Sequence, residues 1–241
     1  MKKVHVFNLL IDDLTQDDLT SIILAHTGFN FIVTPNLQHV IAINNATELA
    51  KCYKKASITT CDSRIVQALS HKLKKPIKNI TTGSGLTQHF FENVLKQNDM
   101  IMVVGSSSED IKLLAKKYSL NNINFYSPPM DFINSPEEVN KTLEKVLENK
   151  PRFLFLAVGF PRQEILACKL QNAIDFDCTA FCIGASIDFL TGKQKRASTK
   201  WQKYRFEWLF RFLQEPKRLF RRYFVDSWGI IPILIKEFRK K

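Results

Sequence analysis

The sequence predicts an α/β fold: a Rossmann-like, mostly parallel sheet with helices on both faces, followed by a basic helical C-terminal appendage. Three observations predict it. Short strand-like runs alternate with helix-like segments from residue 29 to residue 186. The strand runs are apolar throughout instead of alternating with polar residues, so both faces of the sheet must be covered. The charge is also divided sharply along the chain. The net charge is +12, and residues 192–241 alone carry +11, with 15 of the 35 Lys and Arg and 4 of the 23 Asp and Glu. The boundary is therefore expected near Gly192, with a core at 1–191 and an appendage at 192–241.

The elements follow in order. MKKVHVFNLLIDDLT at 1–15 opens like a signal peptide, but its apolar stretch is short, includes His5 and runs into Asp12 and Asp13, so it reads as a first strand. FNFIVTPN (29–36) is a strand running into a turn, and 37–55 is helical. ASITTCDS (56–63) is a strand and 64–73 a helix. IKNITTGSG (77–85) is a strand ending in a glycine-containing loop, and 86–96 is helical. DMIMVVGSSSED (99–110) is a strand, a polar turn and a helix N-cap signal, followed by a helix. A short strand at INFYS (123–127) precedes a helix over 136–149. RFLFLAVGF (152–160) is a buried strand, and Pro161 starts a helix at its favoured first position. CTAFCIGAS (178–186) is the last buried strand.

Several function classes are set aside by composition. Five cysteines form no CxxC pair and read as reduced, mostly buried thiols, in keeping with a cytoplasmic protein. The five histidines are scattered without paired ligand spacing, and DFD at 175–177 falls before a strand, at the wrong end of the sheet for a sugar-phosphate metal site. No metal and no cofactor are expected. The longest late apolar run, WGIIPILI, is far shorter than the ~20 residues of a spanning helix.

In an open parallel sheet, ligands bind outside the carboxyl ends of the strands. That rule selects Thr34, Pro35 and Asn36; Asp62 and Ser63; Gly83 and Ser84; Gly105 and Ser106; Gly159, Arg162, Gln163 and Glu164; and Gly184 and Asp188. Each has a plainer reading. Asn36, Asp62 and Asp188 can be helix caps, and Glu164 can serve the helix dipole. As chemistry, Asp62 is a candidate general base, since a carboxylate in a cleft can accept a proton from a hydroxyl. The turn GFPRQE (159–164) offers helix N–H groups to phosphate or a carbonyl.

The tail FEWLFRFLQEPKRLFRRYF (206–224) should break at Pro216. At 100° per residue, Lys217, Arg218, Arg221 and Arg222 share one face of 217–224, and Leu219, Phe220, Tyr223 and Phe224 the other. Such a basic amphipathic helix either docks on the body or lies at a membrane interface with its arginines free for phosphates. Single-stranded nucleic acid is the other polyanion to weigh. It fits less well because stacking platforms mix aromatic and basic groups on one surface, so no nucleic-acid partner is expected.

Four blocks in order resemble the WecG/TagA/CpsF glycosyltransferases (glycosyltransferase family twenty-six). They are TPNLQHV (34–40), Asp62 after a strand, GFPRQE (159–164), and IGASIDFLTGKQKRAS with FEWLFRFLQEPKRLFRRY, ending at 223. The resemblance implies an inverting, metal-independent hexosyl transfer from a UDP-sugar donor. The acceptor would be a glycan on a polyprenyl diphosphate, at the cytoplasmic face of a bacterial membrane, in teichoic-acid or capsular polysaccharide synthesis. It implies peripheral membrane association through the appendage and leaves the oligomeric state open, a homo-oligomer included. It implies Asp62 as the base with Thr34 and Asn36 at the same cleft, and Gln163 and Glu164 at the nucleotide-sugar site. Arg196, Arg211, Arg218, Arg221 and Arg222 form the pool facing UDP and lipid diphosphate. Two positions depart from the family pattern. The Pro-Asp-Gly of many members is CDS here (61–63). Their RxxGxDL block reads ITTGSGL (80–86), with Ile80 for the Arg and Gly85 for the Asp. One contact that organises the base or the acceptor is then missing, or is rerouted to Arg64, and the alternative these departures leave is a transferase-like scaffold without catalysis.

Overall fold

The structure is a computed structural model and describes residues 2–194, 213, 216 and 220–239, with the backbone alone at 222 and 223. The chain enters through an antiparallel ribbon, β1 (Lys3–Val6) and β2 (Leu9–Asp12). The turn residues Phe7 and Asn8 both have positive φ, 55° and 62°, the combination that closes a two-residue hairpin. The N-terminal segment is therefore a separate ribbon and not the first strand of the main sheet. Buried Asp12 ties it on, accepting from the Thr59 N–H at 2.9 Å and pairing with Lys3 at 3.1 Å.

After α1 (Gln16–Ala25), six parallel strands are laid down with helices between them. They are β3 (Phe29–Val33), β4 (Ile58–Thr59), β5 (Ile101–Val104), β6 (Ile123–Tyr126), β7 (Phe153–Leu156) and β8 (Cys178–Cys182), in the spatial order β4-β3-β8-β7-β5-β6. The helices are α2 (Leu37–Asn45), α3 (Thr47–Lys55), α4 (Arg64–Lys72), α5 (Gly83–His89), α6 (Ser108–Tyr118), α7 (Pro136–Asn149), α8 (Arg162–Leu170), α9 (Ser186–Thr191) and α10 (Ile230–Arg239). Successive strand residues go to opposite faces. Phe31, Val33, Met102, Val104, Leu154 and Leu156 join one core with α2, α3, α7 and α8. Ile32, Ile101, Val103, Phe153, Phe155 and Phe181 join the other with α1, α5, α6 and α9. On that second face Phe155 stacks on Phe181 at 4.8 Å, with Phe90 set edge-on to Phe181 at the same distance. The two-sided cover that the apolar strands demand is thus present.

Four elements differ from expectation, each for an identifiable reason. The expected helix 37–55 is two helices parted at Ala46, which is extended at φ −127° and ψ 107°. Asn44 beside the break turns its side-chain amide to the Phe7 and Val40 carbonyls. The expected strand at 77–85 does not form. The N–H groups of Lys78 and Asn79 are taken by the Asp13 carboxylate, at 3.1 and 2.8 Å, so they cannot enter a ladder. Only Thr81 bonds the neighbouring Cys61 carbonyl, and α5 begins at once at Gly83, capped by Thr82. That helix ends at His89 and passes into a wider turn, Phe90–Val94. Pro161 follows a cis peptide and is the N-cap of α8, so the helix opens at Arg162.

Candidate active site

The carboxyl ends of β3, β4 and β8 meet the start of α5 at one place. Asn36 realises its plainer reading: its Oδ1 accepts from the Gln38 N–H at 2.9 Å and the His39 N–H at 3.4 Å, capping α2. Asp62 does not. Ser63 caps α4 through the Val66 N–H at 3.2 Å, which releases Asp62 from that duty. The Asp62 N–H donates to the Pro35 carbonyl at 3.0 Å, and its Oδ2 accepts from the Gly83 N–H at 3.1 Å. The half-buried carboxylate is therefore held between the Thr34–Asn36 turn and the first turn of α5. Gly83 itself sits against both neighbours. A Cβ there would lie 3.1 Å from Thr34 Oγ1 and 3.7 Å from the Ile183 carbonyl oxygen. Thr34, Asp62 and Gly83, three expected site residues, are thus brought together.

A second wall forms at β5 and β7, neighbours in the sheet whose connections leave in opposite directions. Such a switch point opens a crevice in doubly wound sheets. Gly105, at φ +95°, is forced by proximity: a Cβ there would be 2.7 Å from Val158 Cγ1 and 3.0 Å from the Ala157 carbonyl carbon. The α6 N-terminus behind it is closed by its own acid. Asp110 Oδ2 accepts from the Ser107 hydroxyl at 2.8 Å and pairs with Lys193 at 2.7 Å. Burial alone would raise the Asp110 carboxyl, but Lys193 and Ser107 outweigh it and hold the group below its ordinary range. Sequence reasoning missed both Asp110 and Lys193. The signal was the run SSSED, in which a serine stands three residues before an acid, as in a capping box.

The turn 159–164 is placed as expected, but its side chains are not. Gln163 and Glu164 are 3% and 1% exposed. Gln163 Oε1 accepts from the Gly184 N–H at 2.8 Å, and its Nε2 donates to Glu164 Oε1 at 2.9 Å. Burial pushes the Glu164 carboxyl up to about 7, partly offset by Gln163 and Tyr53. Arg162 reaches sideways, donating to the Met130 carbonyl in the loop after β6. Neither side chain of the Gln163–Glu164 pair faces the cleft; what reaches it is the backbone that they hold.

The family model for glycosyl transferases of the WecG/TagA/CpsF type matches residues 4–241. The chain belongs to this family. Among curated relatives, two proteins of Staphylococcus aureus, from strains MW2 and NCTC 8325, are each 26% identical over 196 residues. The match covers 79% of this chain and 74% of either relative. Both are named N-acetylglucosaminyldiphosphoundecaprenol N-acetyl-beta-D-mannosaminyltransferase.

Family membership bears on the remaining site candidates. The departures lie beside Asp62. Ile80 precedes the Thr81 bond to Cys61, and the Gly85 N–H is taken by Thr82 Oγ1 at 2.9 Å as part of the α5 cap. Arg64 opens α4 two residues after Asp62 and is exposed. Asp188 lies in the first turn of α9, its carbonyl accepting from the Gln194 N–H at 3.0 Å. Of the arginine pool, Arg196, Arg211 and Arg218 lie outside the described residues, as does the Arg222 side chain. Arg221 is exposed, 3.5 Å from Asp226. Beyond it, α10 docks on the body. Ile233 and Glu237 are buried, Glu237 pairs with Lys75 at 3.1 Å, and Gly229 abuts Ile41 of α2. Its other side keeps Ile231, Ile235 and Phe238 exposed, with Phe224, Val225 and Trp228 before it. Among the described residues, no helix is long and apolar enough to cross a membrane.

Proposed function

We propose that this chain transfers a hexosamine, N-acetylmannosamine or a related hexose, from a UDP-sugar to a polyprenyl-diphosphate-linked sugar, with inversion and without a metal. The observation that carries the reading is the convergence of Asp62, Thr34 and Gly83 at the carboxyl edge of the sheet. The relatives' printed names supply the sugar and the lipid-linked N-acetylglucosamine acceptor. In the reaction, Asp62 accepts the proton of the acceptor hydroxyl as that oxygen attacks the anomeric carbon. The bond from that carbon to the UDP oxygen breaks, its electron pair leaves with UDP, and the configuration inverts. The Gly83 N–H and the Pro35 carbonyl fix the base in place, and Thr34 forms the wall beside it.

The negative charge gathering on UDP needs fixed positive partners. Arg196, Arg211, Arg218, Arg221 and Arg222 supply them, and arginine suits bidentate phosphate contact. The metal-free route does not call on Asp177 of the DFD run. Asp177 accepts from the Gly28 N–H at the far end of the sheet from Asp62, where it serves the fold. The exposed apolar residues from Phe224 to Phe238, with Lys236 among them and Arg239 next to them, suit a membrane interface at the cytoplasmic leaflet. The products would enter teichoic-acid or capsular polysaccharide synthesis.

The test is transfer by the purified chain to an N-acetylglucosamine-diphosphate lipid from a panel of UDP-hexoses and UDP-hexosamines. The expected product has the inverted anomeric configuration, and EDTA leaves the rate unchanged. No transfer from any donor would remove the reading; loss of rate in EDTA, restored by a divalent cation, would remove its metal-free part.

A further inference from the structure

Gln163 and Glu164 are motif residues that the proposed transfer does not use by contact, because both side chains are buried. A side-chain amide can sit either way round, as acceptor or donor. Here its Nε2 donates to Glu164 Oε1, which leaves Oε1 facing the Gly184 N–H at 2.8 Å. The opposite orientation would set donor against donor at Gly184. Behind Glu164, the Tyr53 hydroxyl bonds its carboxyl and also meets His39 Nδ1 at 2.8 Å, and His39 stacks on Phe160 at 3.9 Å. The network therefore joins α2, α3 and α8, and ends at the turn between β8 and α9. Gly184 stands there at φ +55°, next to Ile183, whose carbonyl borders Gly83. Gly83 in turn holds Asp62.

We infer that Glu164 is a positioning residue: it sets the Gln163 amide so that Gly184, and with it the Ile183–Gly83 wall behind Asp62, is held in one place. The cost of this arrangement argues for such a role. A wholly buried carboxyl is a poor choice for stability alone, and an apolar side chain of similar volume would serve as well or better. The Gly184 amide bonds to Gln163 in place of a backbone carbonyl, so its protection reports directly on the chain of contacts.

The test compares Glu164→Met, of similar length but without hydrogen-bonding capacity, with Glu164→Gln, which keeps an acceptor for Gln163. Amide hydrogen exchange at Gly184 is read by NMR alongside the melting temperature. Glu164→Met should melt no lower than the parent, yet exchange Gly184 about tenfold faster. Glu164→Gln should exchange at the parent rate. Unchanged Gly184 exchange in folded Glu164→Met would overturn the inference. Should that variant not fold, Tyr53→Phe, which deletes one hydroxyl at nearly constant volume, should speed the exchange about threefold, and no change there would overturn it equally. A second arm rests on the transferase reading. In Glu164→Met, kcat should fall about tenfold with donor KM changed less than threefold, and Glu164→Gln should restore it; a kcat kept in Glu164→Met would count against the inference. An inactive parent would remove the reaction proposed above and leave the exchange result to decide the role of Glu164.

Discussion

Glu164 is one carboxyl among 23 acidic residues, and burial gives it a distinct titration. Its pKa rises to about 7 from 4.5, with desolvation as the main cause. A raised carboxyl pKa means that the folded state binds the proton more tightly than the unfolded chain. Stability from this group is therefore complete below pH 4.5 and is lost as pH rises through about 7. The loss is on the order of a few kcal/mol. Urea melts from pH 4.5 to 8 should show this decline in the parent and lose it in Glu164→Gln; parallel profiles would contradict the assignment. At this scale the sequence was only half legible. Asn36, Asp62 and Ser63 are all good capping residues, so residue type alone could not separate the caps from the candidate base. The distinction came from geometry, where Ser63 and Asn36 bond helix N–H groups ahead of them in sequence and Asp62 reaches across to Gly83. Likewise, Gln163 and Glu164 were legible as motif residues but not as buried ones, because their burial depends on α3 and β8, which are distant in sequence.

At the scale of elements, the close approach of the segments that follow β5 and β7 makes a direct demand. Gly105→Ala would put a methyl group 2.7 Å from Val158 Cγ1 at a positive φ, and should destabilise the fold by about 2 kcal/mol or more. Chemical denaturation reads this, and a loss under 0.5 kcal/mol would show that the loops relax freely. The apolar β3, β5, β7 and β8 were readable as strands because each is buried on both faces. The strand expected at 77–85 failed because backbone propensity lost to a long-range partner: Asp13, 65 residues earlier, consumes the N–H groups that a ladder would need. The break at Ala46 was invisible for the same kind of reason, since Asn44 answers to Phe7 in the hairpin turn.

For the whole molecule, the division of charge was plain from the sequence, whereas the docking of α10 was not. Of the expected basic helix at 217–224, residues 217–219 and the side chains of 222 and 223 lie outside the described residues, while the backbone of 220–224 is helical, with Phe220 and Phe224 exposed. The exposed apolar surface continues further on, at Trp228, Ile231, Ile235 and Phe238. Trp228 is 66% exposed, and Ile235 faces away from the buried Ile233 and Glu237. Replacing both with glutamate should reduce binding to anionic vesicles at least tenfold, measured by co-sedimentation. The melting temperature should stay within about 2 °C of the parent, because neither side chain supports the core. Unchanged vesicle binding would place the membrane contact elsewhere in the chain.

The role of Asp62 as the base of a sugar transfer is tested most directly by single-turnover kinetics of Asp62→Asn. The measurement uses the lipid-linked acceptor and whichever UDP-sugar the parent accepts. Asparagine keeps an oxygen for the Gly83 N–H but cannot take the hydroxyl proton. The transfer rate should fall about 100-fold to 10 000-fold with donor binding and melting temperature preserved. Transfer by Asp62→Asn at the parent rate would contradict it.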